Sequence, residues 1–282
     1  MDVTRKVVEH EGSRLAYDVR GEGPPILFIQ GVGVHGDGWL PQVEPLSSRL
    51  TCITFDNRGM GRSQPADSNL TVDRMIDDSL AVLTAAGFSS AHIVGHSLGG
   101  LVALGFALSK PERVRSLSLL CTFPGGRAAA PLTLRMIWAG SRTRIGTRKM
   151  RRRGFLRLIM PAETLIGEDE DAMAERLAPL FGHDLADQPA VVDAQLKAMR
   201  ASDMTDRLGE LKDVPTLVVT GTHDPIAPPR AGRMLAEKIA GARYVEYGDA
   251  SHGLPIQWAD RVNALLVEHL AHAEERWPSN AS

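Results

Sequence analysis

Cysteine is nearly absent: Cys52 and Cys121 are the two in 282 residues. They sit in separate apolar runs and lack metal-ligand spacing. Buried free thiols are expected, with no disulfide framework and no metal site. No apolar run reaches transmembrane length, so no membrane span is expected. Met1 to Lys6 has no apolar stretch of the kind a secretory leader carries, which leads to the expectation of a cytoplasmic protein. Neither charge sign dominates: the net charge is −2 and the pI about 6.5, so nothing global points to nucleic acid. Internal repeats are also missing. What is present is ordinary for a globular chain with a sizeable core: 43% hydrophobic and 23% charged residues. The length allows one large α/β domain, with room for an inserted subdomain.

The chain alternates strand and helix. Residues 5–10 and 14–20 read as a paired start, turned at Glu11-Gly12-Ser13. Ile26 to Ile29 is a continuous apolar strand, a pattern that suggests burial on both faces of a parallel sheet. It runs into the glycine-dense loop Gln30 to Gly38, which lacks the Gly-Lys-Ser/Thr ending of a phosphate loop. A helix is expected from about Trp39 to Arg49, and a strand from Leu50 to Phe55. The polar loop Asp56 to Ser63 follows, then a helix over 71–86 with Thr71 as N-cap and Gly87 past its end. Val114 to Leu120 is another strand. This rhythm predicts a mostly parallel, doubly wound sheet. From about 122 to 211 only helical periodicity is seen, and six of the ten methionines fall there. Strand and helix resume at Val214 to Thr220, with a helix over 230–240, a strand over 243–247 and a last helix from about Pro255 to Ala273.

One stretch stands out: Gly95-His96-Ser97-Leu98-Gly99, entered from the apolar run Ala91 to Val94 and left by the small-residue helical run Leu98 to Leu108. Strand, sharp turn with serine at its tip, then helix is the setting that the G-x-S-x-G motif requires. A serine hydroxyl is a weak nucleophile and must be held up to a base and an acyl carbon. The turn does so at the expense of strained backbone angles at Ser97. Gly95 and Gly99 flank it because a Cβ at either place would strike the neighbouring strand or helix. The competing view is a glycine-rich turn with an ordinary serine.

A nucleophilic serine needs a base, and the base needs a carboxylate to orient it. Asp224 follows the strand 216–220, and His252 follows the strand 243–247. Strand carboxyl ends of a parallel sheet open on one crevice, so Ser97, Asp224 and His252 are expected to converge as the catalytic group. Asp249 is the second choice of acid. His96, His223 and His35 compete for the role of base; the first points away at a sharp turn, the second crowds Asp224, and the third could face the pocket. His10, His92, His183, His269 and His272 read as surface or packing residues. An oxyanion needs two preorganised donors. The Leu98 N–H is one, and the loop after the third strand supplies the other, placed at the Val32 N–H. Gly31 and Gly33 then let that backbone turn inward toward a substrate.

At these residues the chain resembles the α/β-hydrolase superfamily. Gly33 to Trp39, Phe55-Asp56-Asn57-Arg58-Gly59-x-Gly61-x-Ser63, Gly221 to Asp224, Gly241 to Glu246 and Ala250 to His252 are similar to 3-oxoadipate enol-lactonases. The resemblance implies an α/β-hydrolase fold: a mostly parallel, doubly wound, eight-stranded sheet formed by 1–121 and 212–282, with a helical cap inserted over 122–211 after the sixth strand. Many relatives carry His-Gly where Gln30-Gly31 stands here. The elbow Gly-His-Ser-Leu-Gly is common among esterases. A serine rather than a carboxylate at the elbow excludes the alkyl-ester route of epoxide hydrolases and haloalkane dehalogenases.

From Arg127 to Arg157 the helical stretch carries ten Arg or Lys and no Asp or Glu, densest at Arg148-Lys149-Met150-Arg151-Arg152-Arg153. Either it meets an anionic partner, or it is a solvated face balanced by the acidic stretch from Glu163 to Glu175. The second is favoured. Methionines of this stretch, with Trp138 and Phe155, read first as packing residues. A few are expected to line an apolar acyl site, Trp138 among them. The expectation is thus a cofactor-free serine hydrolase acting on a small-molecule ester or lactone, as monomer or homodimer. A C–C bond hydrolase or acyltransferase with the same three residues is the alternative.

Overall fold

The computed structural model describes residues 3–66, 69–125, 138 and 140–277. Eight strands form one sheet: β1 (Thr4–His10), β2 (Ser13–Arg20), β3 (Pro25–Ile29), β4 (Thr51–Phe55), β5 (Ala91–His96), β6 (Val114–Leu120), β7 (Thr216–Gly221) and β8 (Arg243–Tyr247). Their spatial order is β1-β2-β4-β3-β5-β6-β7-β8. The β1–β2 and β2–β4 pairs are antiparallel, and every later pair is parallel. The apolar β3 and the buried β5 occupy the centre; β3 is an unbroken apolar run, and β5 interrupts its own with His92, whose Nδ1 is 2.8 Å from Ser116 Oγ on β6.

Helices cover both faces. On one lie α2 (Val72–Ala85), α3 (Leu98–Ser109) and α7 (Pro229–Lys238); on the other lie α1 (Leu40–Leu46), α8 (Leu254–Gln257) and α9 (Ala259–Glu274). Helix α3 is apolar all round, and Leu98 through Leu108 are buried without a break. Each leucine so buried contributes about 1.5–3 kcal/mol. Thr71 caps α2 by accepting from the Arg74 N–H, and Gly87, at φ 96°, lies just past its end. The expected helix from Trp39 to Arg49 is shorter. A 3₁₀ turn holds Gly36–Trp39, and beyond Leu46 the Ser47 and Ser48 hydroxyls donate to the Glu44 and Pro45 carbonyls, turning the chain toward β4. The expected last helix is broken in two at Trp258 (φ −122°, ψ 43°).

Between β6 and β7 the described residues form α4 (Arg148–Ile159), α5 (Glu170–Phe181) and α6 (Val192–Ala201), with a single bridge, Gly125 to Asp203, as extended pairing. Residues 126–137, Met136 among them, lie outside the described residues. The segment has its own apolar cluster: Leu156, Ile159, Met160, Leu165, Met173 and Phe181, with Val34 from the core loop. Val191, Ala198, Met204, Leu208 and Leu211 instead join the cluster beneath α3, so the packing passes to the main core well before residue 211. Among the described residues no helix is long and apolar enough to cross a membrane.

Candidate active site

Ser97 stands between β5 and α3 at φ 55° and ψ −121°, in the left-handed region that side chains avoid. The surroundings over-determine it. Its N–H donates to the Leu120 carbonyl at 3.0 Å, and its carbonyl accepts from the Thr122 hydroxyl at 2.7 Å. A Cβ on Gly95 would strike the Gly99 carbonyl, and one on Gly99 would strike the Ile29 carbonyl. The elbow is thus as tight as its glycines suggest.

His252 lies on the loop after β8 and Asp224 on the loop after β7. His252 Nε2 is 2.9 Å from Ser97 Oγ, and Nδ1 is 2.8 Å from Asp224 Oδ2. The other Asp224 oxygen accepts from the Ile226 and Ala227 N–H groups, each at 2.8 Å. All three side chains are buried. The competing acid is elsewhere: Asp249 is exposed and pairs with Arg261 at 2.9 Å. Of the competing bases, His223 is exposed. His35 packs against Gly182 and Gly61 and does not line the cavity above Ser97.

His96 is closer to the site than its place in the turn implies. Its Nε2–H donates to the His252 carbonyl at 2.9 Å, and the two rings lie 4.8 Å apart. Burial first, then the neighbouring His252, lowers its pKa to about 3, so it is neutral. Cys121 sits beside Asp224, and burial followed by that carboxylate pushes its thiol well above the usual range. His96, Cys121 and His252 bring possible ligand atoms within 4.8 Å of one another. Both His252 nitrogens, however, already face Asp224 and Ser97, and the thiol keeps its proton, so the donor set suits this hydrogen-bond chain better than a metal ion.

The loop after β3 runs against Ser97: a Cβ on Gly31 would come within 3.1 Å of Ser97 Cβ. The Gly31 and Gly33 N–H groups donate to Gln30 Oε1 and Gln195 Oε1, both at 2.9 Å. The Val32 N–H between them has no partner among the described residues. Leu98 opens α3, so its N–H has no acceptor within the helix.

Above Ser97 opens a cavity of about 1170 Å³, larger than most ligand sites. Gly31, Val32, Gly33, Trp39 and Phe123 line it from the core; Phe155, Ile159, Phe181, Val192, Leu196 and Met199 line it from the helical segment. Trp138 does not. It is 62% exposed, with the Arg142 guanidinium 5.1 Å over its ring, a surface stack in place of the expected substrate contact. His183, read from the sequence as a packing residue, lines the cavity, and its Nε2 is 2.8 Å from the Gly33 carbonyl. Its position follows from the stop of α5 at Gly182, a fold-level fact with no motif to announce it.

Of the run from Arg148 to Arg153, every cation but Arg151 has an acidic partner among the described residues. Arg148 and Arg152 meet Asp184 at 2.8 and 2.5 Å, Lys149 meets Asp171 at 2.6 Å, and Arg157 meets Glu170 at 2.9 Å. The acids come from α5 and from the turn after it, a wider source than the expected stretch from Glu163 to Glu175.

Comparison with known proteins agrees with this geometry. The family model for the alpha/beta hydrolase fold matches residues 24–257. The chain is 32% identical over 257 residues to "Putative carbamate hydrolase RutD" of Azorhizobium caulinodans, covering 90% of this chain and 93% of the relative. It is 28% identical over 250 residues to 3-oxoadipate enol-lactonase 1 of Acinetobacter baylyi, covering 87% of this chain and 89% of the relative. The crystal structure of the enol-lactonase from Burkholderia xenovorans LB400 superposes with a TM-score of 0.80 at 27% identity, over 94% of this chain and all of that one. With strand order, elbow and family model in agreement, the chain belongs to the α/β hydrolase fold family.

Proposed function

We propose that this chain is a serine hydrolase that opens carboxylic esters or lactones through an acyl-enzyme on Ser97. The observation that carries this is the His252 imidazole, 2.9 Å from Ser97 Oγ on one side and 2.8 Å from Asp224 on the other, beneath a large apolar cavity. His252 takes the Ser97 proton as Oγ adds to the substrate carbonyl. The Val32 and Leu98 N–H groups receive the oxyanion. As the C–O bond breaks, His252 returns that proton to the leaving alkoxide. Asp224 holds the imidazole in the right tautomer and offsets its transient charge. Water then adds to the acyl carbon, losing a proton to the same ring; the bond to Ser97 Oγ breaks, the ring returns the proton to Oγ, and the acid leaves. A lactone follows the same course, with its alcohol tethered to the acyl group.

Residues 122–211 serve as a cap over Ser97 in this proposal, which the cavity lining of Phe155, Phe181, Val192 and Leu196 supports. The apolar walls favour a bulky apolar acyl or alcohol group, with Gly31 and Gly33 against the reacting ester. The enol-lactonase relatives support the lactone arm. Two buried free thiols support a reducing, cytoplasmic setting.

The test is a panel of p-nitrophenyl esters of rising chain length with several lactones, an aryl carbamate and a β-diketone, run with and without an acceptor alcohol on wild type and Ser97→Ala. Ester or lactone turnover that Ser97→Ala abolishes is expected. Ser97-dependent turnover confined to the β-diketone would move the chemistry to C–C hydrolysis, and product carrying an added alcohol would move it to acyl transfer. Turnover untouched by Ser97→Ala would overturn the serine mechanism.

A further inference from the structure

Gly33 is held on both sides by side chains of the helical segment. Its N–H donates to Gln195 Oε1 at 2.9 Å, and its carbonyl lies 2.8 Å from His183 Nε2; the ring's Nδ1 lies 2.8 Å from the Asp184 carbonyl, and it is the Nε2–H tautomer that donates to Gly33. On the other side of Val32 the core does the same. The Gly31 N–H donates to Gln30 Oε1, and Asn57 Nδ2 donates to the Gln30 carbonyl, each at 2.9 Å. Val32 therefore sits between one pair of contacts fixed by the core and another fixed by α6 and the turn after α5.

Gln195 has no exposed surface, and its Nε2 has no partner among the described residues. A buried donor left unpaired is a net penalty to folding. An apolar side chain of the same length would fill the space without it. What Gln195 supplies that such a side chain would lack is the acceptor for Gly33. The contact is also tight: Gly33 is at φ +71°, and a Cβ there would lie 3.1 Å from Val192 of α6. His183 is set by the end of α5. Gly182, at φ +76°, stops that helix where a Cβ would run into the His35 ring.

We propose that Gln195 and His183 are positioning residues for the oxyanion hole. By gripping both faces of Gly33 they aim the Val32 N–H, so the hole is complete only while the helical segment is seated on the loop. The inference rests on the serine-hydrolase function proposed above. It makes the segment that shapes the cavity a part of the machinery that stabilises the oxyanion.

The test uses full-length Gln195→Met and His183→Leu, each removing its contact with Gly33, and His183→Gln, which keeps a donor at the same reach. Each is assayed with an aryl ester and with its thionoester, in which sulfur replaces the carbonyl oxygen and accepts hydrogen bonds poorly. Loss of an oxyanion donor outright lowers kcat by about 10²–10³. Misdirection of one is expected to lower the ester kcat roughly tenfold to hundredfold, with KM little changed. The thionoester rate should move far less, so the ester-to-thionoester ratio falls, and His183→Gln should restore it. Thermal melts identify any variant that has failed to fold, and the ratio itself does not depend on the folded fraction. A serine-dependent wild type whose ratio stays fixed in Gln195→Met and His183→Leu would overturn this inference alone. Ser97→Ala with undiminished turnover would overturn the parent function and the inference with it.

Discussion

The His96 imidazole donates to the backbone carbonyl of His252 across 2.9 Å. The residue just before Ser97 thus ties down the loop that carries the proposed base. The acceptor is a carbonyl, so the proton sits on Nε2. Burial keeps the ring neutral with a pKa of about 3, which preserves that tautomer across the working pH range. His96→Leu leaves the His252 carbonyl buried without its donor, a penalty of about 1–3 kcal/mol. A lower Tm and a reduced kcat are expected together, with His96→Gln recovering part of both. A His96→Leu enzyme with wild-type kcat would show that the carbonyl contact does not set the base.

Ser97→Ala and His252→Ala are each expected to abolish most turnover, with the double variant little worse than either. Groups that act as a unit lose their effect once. The 2.9 Å contact between Ser97 Oγ and His252 Nε2 is the structural ground for treating them as one unit. Steady-state kinetics on the three variants decides it; additive losses would mean that another residue is the working base.

Asp224→Asn should lower kcat strongly while the melt stays near wild type. An amide can still touch His252 Nδ1, but it favours the wrong tautomer and cannot offset imidazolium charge; the comparable loss elsewhere is about 10⁴-fold. Asp249→Asn should be nearly silent, since its carboxylate is exposed and faces Arg261. The reverse pattern would exchange the two assignments.

Much of this was legible in the sequence because the signals were local. The unbroken apolar strand β3, the Thr71 cap and the glycines around Ser97 each act through their own neighbours, and the structure keeps them where periodicity and sterics put them. The convergence of Ser97, Asp224 and His252 followed from strand ends of a parallel sheet sharing a crevice. What was not legible depends on how separate elements dock. Trp138 faces outward because its stretch presents it beside Arg142, and no periodicity encodes that. His183 and Gln195 reach Gly33 from more than a hundred residues away in sequence, through helices whose apolar spacing says only that they pack.

Two buried histidines, His92 and His269, and the partly buried His96 predict acid lability. His92 is held at a pKa of about 3 by burial and by the Arg115 and His269 charges; His96 is at about 3 and His269 at about 4, both chiefly through burial. Glu274 lies 3.0 Å from His92 Nε2, but the same oxygen is engaged by Arg115. An unfolded histidine takes up its proton near pH 6.5. Above that pH both states are neutral, and these groups make no difference. Below it the unfolded chain binds protons that the native chain refuses, so stability falls as pH drops from about 6.5 toward 4. Each such histidine steepens the fall by up to about 1.4 kcal/mol per pH unit. Urea midpoints followed by tryptophan fluorescence between pH 7.5 and 5 should show the decline, and His92→Gln should flatten it. A flat wild-type profile would rule out the mechanism.

The last prediction concerns the basic helix α4. If its cations recruited an anionic substrate, neutralising Arg148, Lys149, Arg151, Arg152 and Arg153 together would raise KM for a carboxylated ester and spare a neutral one. The effect would shrink with salt, because exposed charges are screened over roughly 8–10 Å at 0.1–0.15 M. The structure argues the other way. Asp184 bridges Arg148 and Arg152 at 2.8 and 2.5 Å, and Asp171 takes Lys149 at 2.6 Å. Arg152 holds the Asp184 carboxyl well below the usual carboxylate range. These cations hold α4 to α5 and the turn beyond it, where Asp184 follows the His183 that grips Gly33. Neutralising them should therefore lower kcat alike for carboxylated and neutral esters, through the seating of the helical segment, and should lower Tm modestly. Paired kinetics on the two esters across a salt series separates the cases. A KM change confined to the carboxylated ester and erased by salt would make the run a substrate-recruiting surface instead of a brace.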